Sequence, residues 1–160
     1  MNEAATPIQP RDSQVIDQID RRILSELSAA GRTSLAELGR RVSLSPPAVA
    51  ERVGRLERAG VITGYHAAID PRALGYQLTA IVRVRPAARQ LPRIPELAEQ
   101  IPEISECVRI TGEDCFFLKV HLRSIDELAP LLDRFLDYGD TTTSLVNASP
   151  IPRRDPPLGE

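Results

Sequence analysis

The chain has 160 residues, 42% of them hydrophobic and 26% charged, and its formal net charge is −2. This size fits one large or two small globular domains, and the charge excludes a strongly basic protein that holds nucleic acid by charge alone. No apolar run approaches the roughly 20 residues that a membrane-spanning helix needs. Residues 1–14 lack the apolar centre of a signal peptide, so we expect a loose amino-terminal tail and, with two cysteines, a cytoplasmic protein.

Amphipathic segments in the first half of the chain predict three helices. Residues 15–30 carry the first apolar stripe. Ser34 is a suitable N-cap for a short second helix, and Glu37, three residues on, would complete a capping box. Ser45 is placed to cap a third helix, whose first position is a proline that lacks no needed amide. A helix, a short helix, a turn and a longer helix form a helix-turn-helix module.

The third helix, from Ser45 to Gly60, is the most informative element. Its apolar residues Val49, Val53 and Leu56 form one stripe of a 3.6-residue period. The opposite side holds Pro47, Glu51, Arg55 and Arg58, with Ala48 and Arg52 at its margin. Small residues in the first turn allow close approach to a DNA major groove, and guanidinium groups reach guanine edges or phosphates. The same pattern also fits an ordinary surface helix with solvated charges.

The charge distribution along the chain is uneven. Between Arg32 and Arg58 there are six arginines and three glutamates, whereas from residue 71 onward 11 basic groups face 13 acidic ones. A modest basic patch on a mildly acidic body favours a specific DNA binder that presents several modules together.

The segment after the third helix predicts a wing. Residues 61–65 and 66–70 have the composition of two short strands across a glycine turn. A winged helix-turn-helix favours DNA binding over the surface-helix interpretation.

The second half of the chain predicts a ferredoxin-like β-α-β-β-α-β sandwich, which makes the protein α+β. The expected elements are a strand over 77–85, a helix over 91–100, strands over 104–111 and 115–122, a helix over 125–138 capped by Ser124, and a strand over 140–148. Such a sheet buries one face under two helices and leaves the other open. An open apolar face normally pairs with another copy.

Two features of this half are candidates for binding a small ligand. The turn Gly112-Glu113-Asp114 offers free amides for a carboxylate and acidic groups for an ammonium. Thr141 and Thr143 share one face of the last strand and could line the same pocket. The alternative is a solvated turn beside threonines that only favour strand structure.

Other reactive residues are few. His66 and His121 are the only histidines, and no Cys/His cluster has metal-ligand spacing. Cys107 and Cys115 fall on adjacent strands of one hairpin but out of register, so we expect free buried thiols. No phosphate-binding glycine loop or nucleophile elbow is present.

Several strings of this chain resemble one family. IDRRILSEL, GRTSLAELGRRV, LSPPAVAERVGRLERAGVITGY and IDPRALGY resemble the amino-terminal half of the Lrp/AsnC (leucine-responsive, feast/famine) transcriptional regulators. The β-α-β-β-α-β half is similar to their carboxyl-terminal domain, so the resemblance covers about residues 15–150. The family's hairpin turn carries a G-D-x-D-Y/F pattern; here Gly112 and Phe116 fit, Glu113 replaces an Asp, and Cys115 stands where a second Asp is frequent.

The resemblance implies a sequence-specific regulator that binds double-stranded DNA at an inverted repeat. The residues expected to bind DNA are Ser34, Arg41, Ser45, Pro47, Ala48, Arg52, Arg55 and Arg58. A small effector, usually an amino acid, would bind at Gly112, Glu113, Asp114, Thr141 and Thr143. The family's sheets form a homodimer, which assembles into tetramers or octamers. No cofactor or metal is implied, and the location would be bacterial or archaeal cytoplasm, at the nucleoid.

Three alternatives remain open. Siroheme decarboxylases resemble this family in both domains, a regulator can be independent of an effector, and stand-alone sensor domains assemble without binding DNA. The expected organisation is a tail (1–14), a DNA-binding domain (15–70), a linker (71–76), a sensing domain (77–151) and a proline-rich tail (152–160).

Overall fold

A computed structural model describes residues 16–151 and 153–158, so the predicted tail over residues 1–14 lies outside the described residues. The described chain divides into two compact units. The first contains residues 16–67 together with 153–158, and the second contains residues 68–151. The carboxyl-terminal segment therefore belongs to the first unit: Arg21 donates a hydrogen bond to the carbonyl of Leu158, and Ser28 donates one to the carboxylate of Asp155.

The first unit is built from the three predicted helices. These are α1 (Gln18–Ala29), α2 (Leu35–Val42) and α3 (Pro46–Arg58). The apolar stripes of the three helices meet in one core, which contains Ile23, Leu38, Val42, Val49, Val53 and Leu56. The stripe predicted for α3 is confirmed, because all three of its residues are buried.

Side-chain caps fix where the helices begin. The Ser34 hydroxyl accepts from the Glu37 amide at 3.2 Å, and the Ser45 hydroxyl accepts from the Ala48 amide at 3.4 Å. The capping box predicted at Ser34 is wrong in its second half, because the Glu37 carboxylate binds Arg40 and Arg41 instead. Both predicted N-caps are confirmed.

The turn between α2 and α3 depends on Gly39. A Cβ at this position would lie 2.6 Å from the carbonyl oxygen of Leu44, which is backbone and cannot move aside. The chain reverses at Ser43, whose φ of 61° is left-handed. The absence of a side chain on α2 thus allows the turn to close against it.

The predicted wing is wrong, since residues 61–70 contain no strand. The amides of Val61 and Ile62 both donate to the carbonyl of Leu56, at 2.9 and 3.2 Å, and finish α3 instead of entering a ladder. Their side chains pack on the helical core. Ile69, on the other expected strand, is 66% exposed.

The second unit has the predicted ferredoxin-like topology. Its elements are β1 (Leu78–Pro86), α4 (Arg93–Glu99), β2 (Ile104–Arg109), β3 (Phe116–Leu122), α5 (Leu128–Asp133) and β4 (Gly139–Leu145). The strand order is β2-β3-β1-β4 and every neighbouring pair is antiparallel.

The alternation along β1 divides the sheet into two faces. Ala80, Val82 and Val84 are fully buried and pack with residues of both helices, among them Ile94 of α4 and Leu131 of α5. The intervening positions point to the opposite face, where register places Ile81 against Lys119 and Arg83 against Phe117. We refer to this second side, defined by Ile81, Arg83, Arg85, Phe117 and Lys119, as the open face.

The predicted helix over residues 125–138 is shorter than expected. A 3-10 turn over Ile125–Glu127 precedes α5, because Pro130 has no amide to donate to the fourth residue before it. The Ser124 hydroxyl makes no capping hydrogen bond, so that prediction is also wrong. Instead the Glu127 carboxylate accepts from the Arg123 amide at 2.7 Å.

The IDPRALGY string forms a fixed entry to the sheet. The Asp70 carboxylate accepts from the Arg72 amide at 3.0 Å and begins a 3-10 turn, which ends at Gly75 with φ +90°. A Cβ on Gly75 would lie 2.7 Å from Nη1 of Arg123. That guanidinium sits 4.8 Å over the Tyr76 ring, where a cation–π contact is favourable.

None of the described helices is long and apolar enough to cross a membrane.

Candidate DNA-binding and effector sites

The outward side of α3 combines small residues with two unlike charges. Pro47, Ala50, Glu51 and Arg58 are exposed, and Gly54 lies between the last two. Ser34 and Ser45, the caps of α2 and α3, are also exposed, and Ala48 is partly covered. This surface has the shape expected of a recognition helix, because nothing bulky separates its backbone from a partner.

Two of the predicted DNA-binding arginines turn inward. Arg52 Nη1 lies 2.9 Å from Oδ1 of Asp20 and 2.6 Å from Oδ2 of Asp17. Arg55 Nη2 lies 2.6 Å from Oδ2 of Asp20. Asp20 is 0% exposed, so α3 is tied to α1 through a buried carboxylate. The guanidinium groups of Arg52 and Arg55 are therefore held by the protein itself.

The electrostatics of this cluster favour its charged form. Hydrogen bonds from Arg52 and from the Asp20 amide hold the pKa of Asp17 below its usual value. Hydrogen bonds to the carboxylates of Asp17 and Asp20 in turn raise the pKa of Arg52. Asp17 also caps α1 in a capping box with Asp20, so one pair of acids both starts a helix and binds its neighbour.

Sequence reasoning missed Asp20, although a signal was present. Ile16, Asp20, Ile23 and Leu27 have the spacing i, i+4, i+7 and i+11, which places a carboxylate within the apolar stripe of α1. A buried carboxylate requires charged or hydrogen-bonding partners. Arg52, at the margin of the outward side of α3, and Arg55, on that side, were the available candidates.

The remaining predicted arginines differ in their surroundings. Arg41 pairs with Glu26 at 2.7 Å and with Glu37 at 2.8 Å, which links α2 to α1. Arg58 is exposed, and its side chain makes no ion pair or hydrogen bond within the described part of the chain. Three arginines of α3 were predicted to bind DNA. Within the described residues, Arg52 and Arg55 are paired with acids, and Arg58 is the one whose guanidinium remains available to an external partner.

The hairpin turn between β2 and β3 lies beside two arginines of the open face. Arg85 Nη2 is 2.7 Å from Oε2 of Glu113, and Arg83 Nη1 is 3.4 Å from Oδ2 of Asp114. Gly112 has φ +115° and open space on its side-chain side. The turn therefore gathers two carboxylates and two guanidinium groups, which can hold both ends of a zwitterion.

The structure does not bring Thr141 and Thr143 to this cluster. In register they lie opposite Val84 and Val82, on the face that the helices cover. The residue on the open face is Thr142, opposite Arg83. The Thr143 hydroxyl is buried and has no hydrogen-bond partner among the described residues.

Neither cysteine forms a disulfide, as expected, but the prediction that both thiols are buried is wrong, because Cys107 is exposed and Cys115 is only partly buried. Cys107 is exposed because β2 is an edge strand. In the register of the hairpin it lies opposite Leu118, not opposite Cys115. The His121 Nδ1 lies 3.1 Å from the Thr79 hydroxyl, and burial together with Lys119 lowers the pKa of His121. Within residues 16–151 and 153–158, no three His, Cys, Asp or Glu side chains gather as a metal site would require.

A cleft of about 400 Å³ lies on the helical side of the second unit. Its charged lining consists of Glu103, Asp126, Glu127 and Arg134, and it includes none of the predicted effector residues.

These two units define a class of protein: a helix-turn-helix regulator whose second, ferredoxin-like unit carries a ligand-binding domain. Residues 16–57 match the AsnC-type helix-turn-helix domain, and residues 79–156 match the Lrp/AsnC ligand binding domain. The chain belongs to the Lrp/AsnC family of transcriptional regulators.

Individual relatives agree with this assignment. The HTH-type transcriptional regulator LrpA of Mycobacterium tuberculosis is 41% identical over 132 residues, which cover 82% of this chain and 88% of LrpA. The solved structure of Bacillus subtilis LrpC matches with a TM-score of 0.83 and 32% identity, over 88% of this chain and 100% of that one. A feast or famine regulatory protein from M. tuberculosis, complexed with L-methionine, matches with a TM-score of 0.78 and 36% identity, over 88% and 97% of the two chains.

Proposed function

We propose that this protein regulates transcription by binding an inverted-repeat operator and that an amino acid modulates this binding. The observation that carries the proposal is the exposed face of α3, with small residues and an unpaired Arg58, in a chain of the Lrp/AsnC family. The DNA surface would comprise Ser34, Arg41, Ser45, Pro47, Ala48 and Arg58, with Arg52 and Arg55 holding α3 in place.

The effector would bind at the hairpin turn. The amide groups around Gly112 and the guanidinium of Arg83 suit a carboxylate, while Asp114 suits an ammonium group. A related regulator was solved with L-methionine, which supports an α-amino acid as the ligand class. Glu113 would act on the effector indirectly, by holding Arg85 in place. Thr141 and Thr143 would support the sheet from the face that the helices cover.

Assembly would proceed through the open face. Two copies would stack these sheets as a homodimer and associate further into tetramers or octamers, so that several copies of α3 bind in register. Two recognition helices that are about one turn of the DNA double helix apart fit successive major grooves of an inverted repeat. The protein would act in the cytoplasm at the nucleoid, without a cofactor and without enzymatic activity.

DNA binding is tested by mobility shift on the region upstream of the protein's own gene. We expect Arg58→Ala to lower affinity about tenfold and to reduce the salt dependence of binding, because a contact to DNA is lost. Arg93→Ala, which removes an exposed arginine of α4 paired with Glu96, is the matched control. Equal affinity of wild type and Arg58→Ala at every salt concentration contradicts the proposed interface.

Effector binding is tested by thermal unfolding with each amino acid. A true effector at about 100 times its Kd should stabilise the wild type by about 2.7 kcal/mol, and Asp114→Ala should abolish the shift. Asp126→Ala, an exposed acid of the same unit, should keep it. If no amino acid stabilises the wild type, the protein is an effector-independent regulator, whereas visible absorbance from a bound tetrapyrrole would favour the decarboxylase alternative.

A further inference from the structure

Glu51 occupies the middle of the outward side of α3. Its side chain is exposed, and it makes no hydrogen bond or ion pair with any residue in the described ranges 16–151 and 153–158. The neighbouring charges of the helix are otherwise engaged: Arg52 and Arg55 bind Asp20, and Glu57 accepts from the Tyr65 hydroxyl at 2.9 Å. Glu51 and Arg58 are thus the charged groups of α3 that remain available to a partner.

The surroundings of Glu51 allow its carboxylate to reach deep into a groove. On a helix, residues four before and three after lie on the same side, and here these are Pro47 and Gly54. Ala50 is a third small neighbour, and like Pro47 it is exposed. Because none of these side chains is long, Glu51 projects farthest from this half of the helix.

A carboxylate in a major groove has one favoured partner. The phosphates repel it, and guanine and thymine present acceptors at their groove edges. Adenine has a donor, N6, but an acceptor, N7, lies beside it. The cytosine N4 amino group donates without an acceptor on the same base, which makes cytosine the best match for Glu.

We propose that Glu51 determines operator specificity by accepting a hydrogen bond from the N4 amino group of one cytosine in each half-site. This assignment rests on the proposed function. Asp20 supports it, because its bonds to Arg52 and Arg55 fix the rotation of α3 about its axis and so the direction in which Glu51 points. The carboxylate also weakens binding to other sequences, where it meets phosphates and acceptors without compensation.

The test is selection of bound duplexes from a randomised DNA library, followed by affinity measurements on the selected sites. Wild type should select a motif with one cytosine in each half-site that Glu51→Ala does not require. At that position the preference of Glu51→Ala for cytosine should be at least about fivefold weaker than that of wild type, and the base preferences at the other positions should be unchanged. Glu51→Gln should shift the preference to adenine, since an amide bonds both N6 and N7.

Glu57→Ala is the matched control, because it removes the other exposed glutamate of α3 and should leave the motif intact. Thermal unfolding of each variant verifies that the helix-turn-helix unit is folded. If Glu51→Ala and Glu51→Gln both select the wild-type base at every position, the assignment to Glu51 is overturned while the proposed function stands. If wild type itself selects no motif, the proposed function fails, and the assignment fails with it.

Discussion

At the scale of single residues, the helix-turn-helix unit depends on one carboxylate. Asp20 is fully buried, and burying an unpaired charge would cost several kcal/mol. It binds Arg52 at 2.9 Å, Arg55 at 2.6 Å and the Asp17 amide at 3.2 Å, so its charge is compensated. The side chains of Arg52 and Arg55 stay 27% and 42% exposed, which limits their own desolvation cost. The arrangement therefore makes two arginines that were predicted to bind DNA into supports for α3.

We expect Asp20→Asn to destabilise the first unit by about 1–3 kcal/mol, because an amide cannot compensate two guanidinium groups. Operator affinity should also fall, although Asp20 is buried and cannot touch DNA. Urea unfolding and mobility shift measure both effects. Glu51→Gln, an exposed change of the same kind in the same unit, should alter stability by less than about 0.5 kcal/mol. Unchanged stability of Asp20→Asn would contradict the supporting role.

The lowered pKa of Asp17 predicts how the stability of the first unit responds to acid. Its pKa is lower in the folded state than in the unfolded state, mainly because Arg52 and the Asp20 amide bind the carboxylate. Its contribution to stability is therefore complete above the unfolded pKa, about 3.9, and is lost as the pH falls through the lower folded value. Asp17→Asn should flatten the stability profile below about pH 4 without changing its shape near neutral pH. A variant profile as steep as that of wild type would disprove this assignment.

At the scale of elements, close approaches between helices and turns decide which substitutions the fold accepts. Two glycines inside helices of the first unit make this visible. Gly39 faces the Leu44 carbonyl across the turn, whereas a Cβ on Gly54 would meet only the flexible end of Arg58, at 3.2 Å. The packing therefore requires a glycine at position 39 in α2 but not at position 54 in α3.

We expect Gly39→Ala to destabilise the unit by about 1–3 kcal/mol, since a Cβ cannot fit against fixed backbone. Gly54→Ala should stabilise it by about 0.5–1 kcal/mol, because alanine has the higher helix propensity. Chemical unfolding of the two variants gives the comparison directly. Destabilisation of similar size by both would show that the turn between α2 and α3 is not tightly packed.

At the scale of the whole molecule, the open face of the sheet is the surface through which we propose that the protein assembles. It carries Ile81 and Phe117 among charged residues, while the apolar residues of the opposite face are already covered by α4 and α5. One subunit presents a modest number of basic groups to DNA, so tight binding requires linked copies.

Ile81→Glu should shift the protein towards monomers, because it places a charge in the middle of the proposed dimer surface. The affinity for a two-half-site operator should fall about 100-fold, while affinity for a single half-site changes little. Light scattering after size exclusion and mobility shift measure the two effects, and circular dichroism verifies the fold. Leu136→Glu, at a residue 71% exposed and outside the open face, is the control. A dimer that persists in Ile81→Glu would exclude this face as the interface.

The sequence by itself determined the three helices of the first unit and the order of the helices and strands in the second unit. Capping serines, apolar periodicity and prolines act over a few residues, so they can be read locally; Ser45 and β1 are examples. The strand order followed because a β-α-β-β-α-β chain has few ways to bury one face of its sheet. The ends of some elements differ from the prediction, as the shorter α5 shows.

Only the tertiary structure decided which side chains are available for function. Arg52 and Arg55 meet Asp20 across 32 and 35 residues of sequence, and no local pattern specifies that pairing. Residues 61–70 form no wing because the first amides of this segment finish α3. Thr141 and Thr143 lie under the helices because the register with β1 places them there. Local chemistry sets the elements, whereas contacts between distant residues set which charges face a partner.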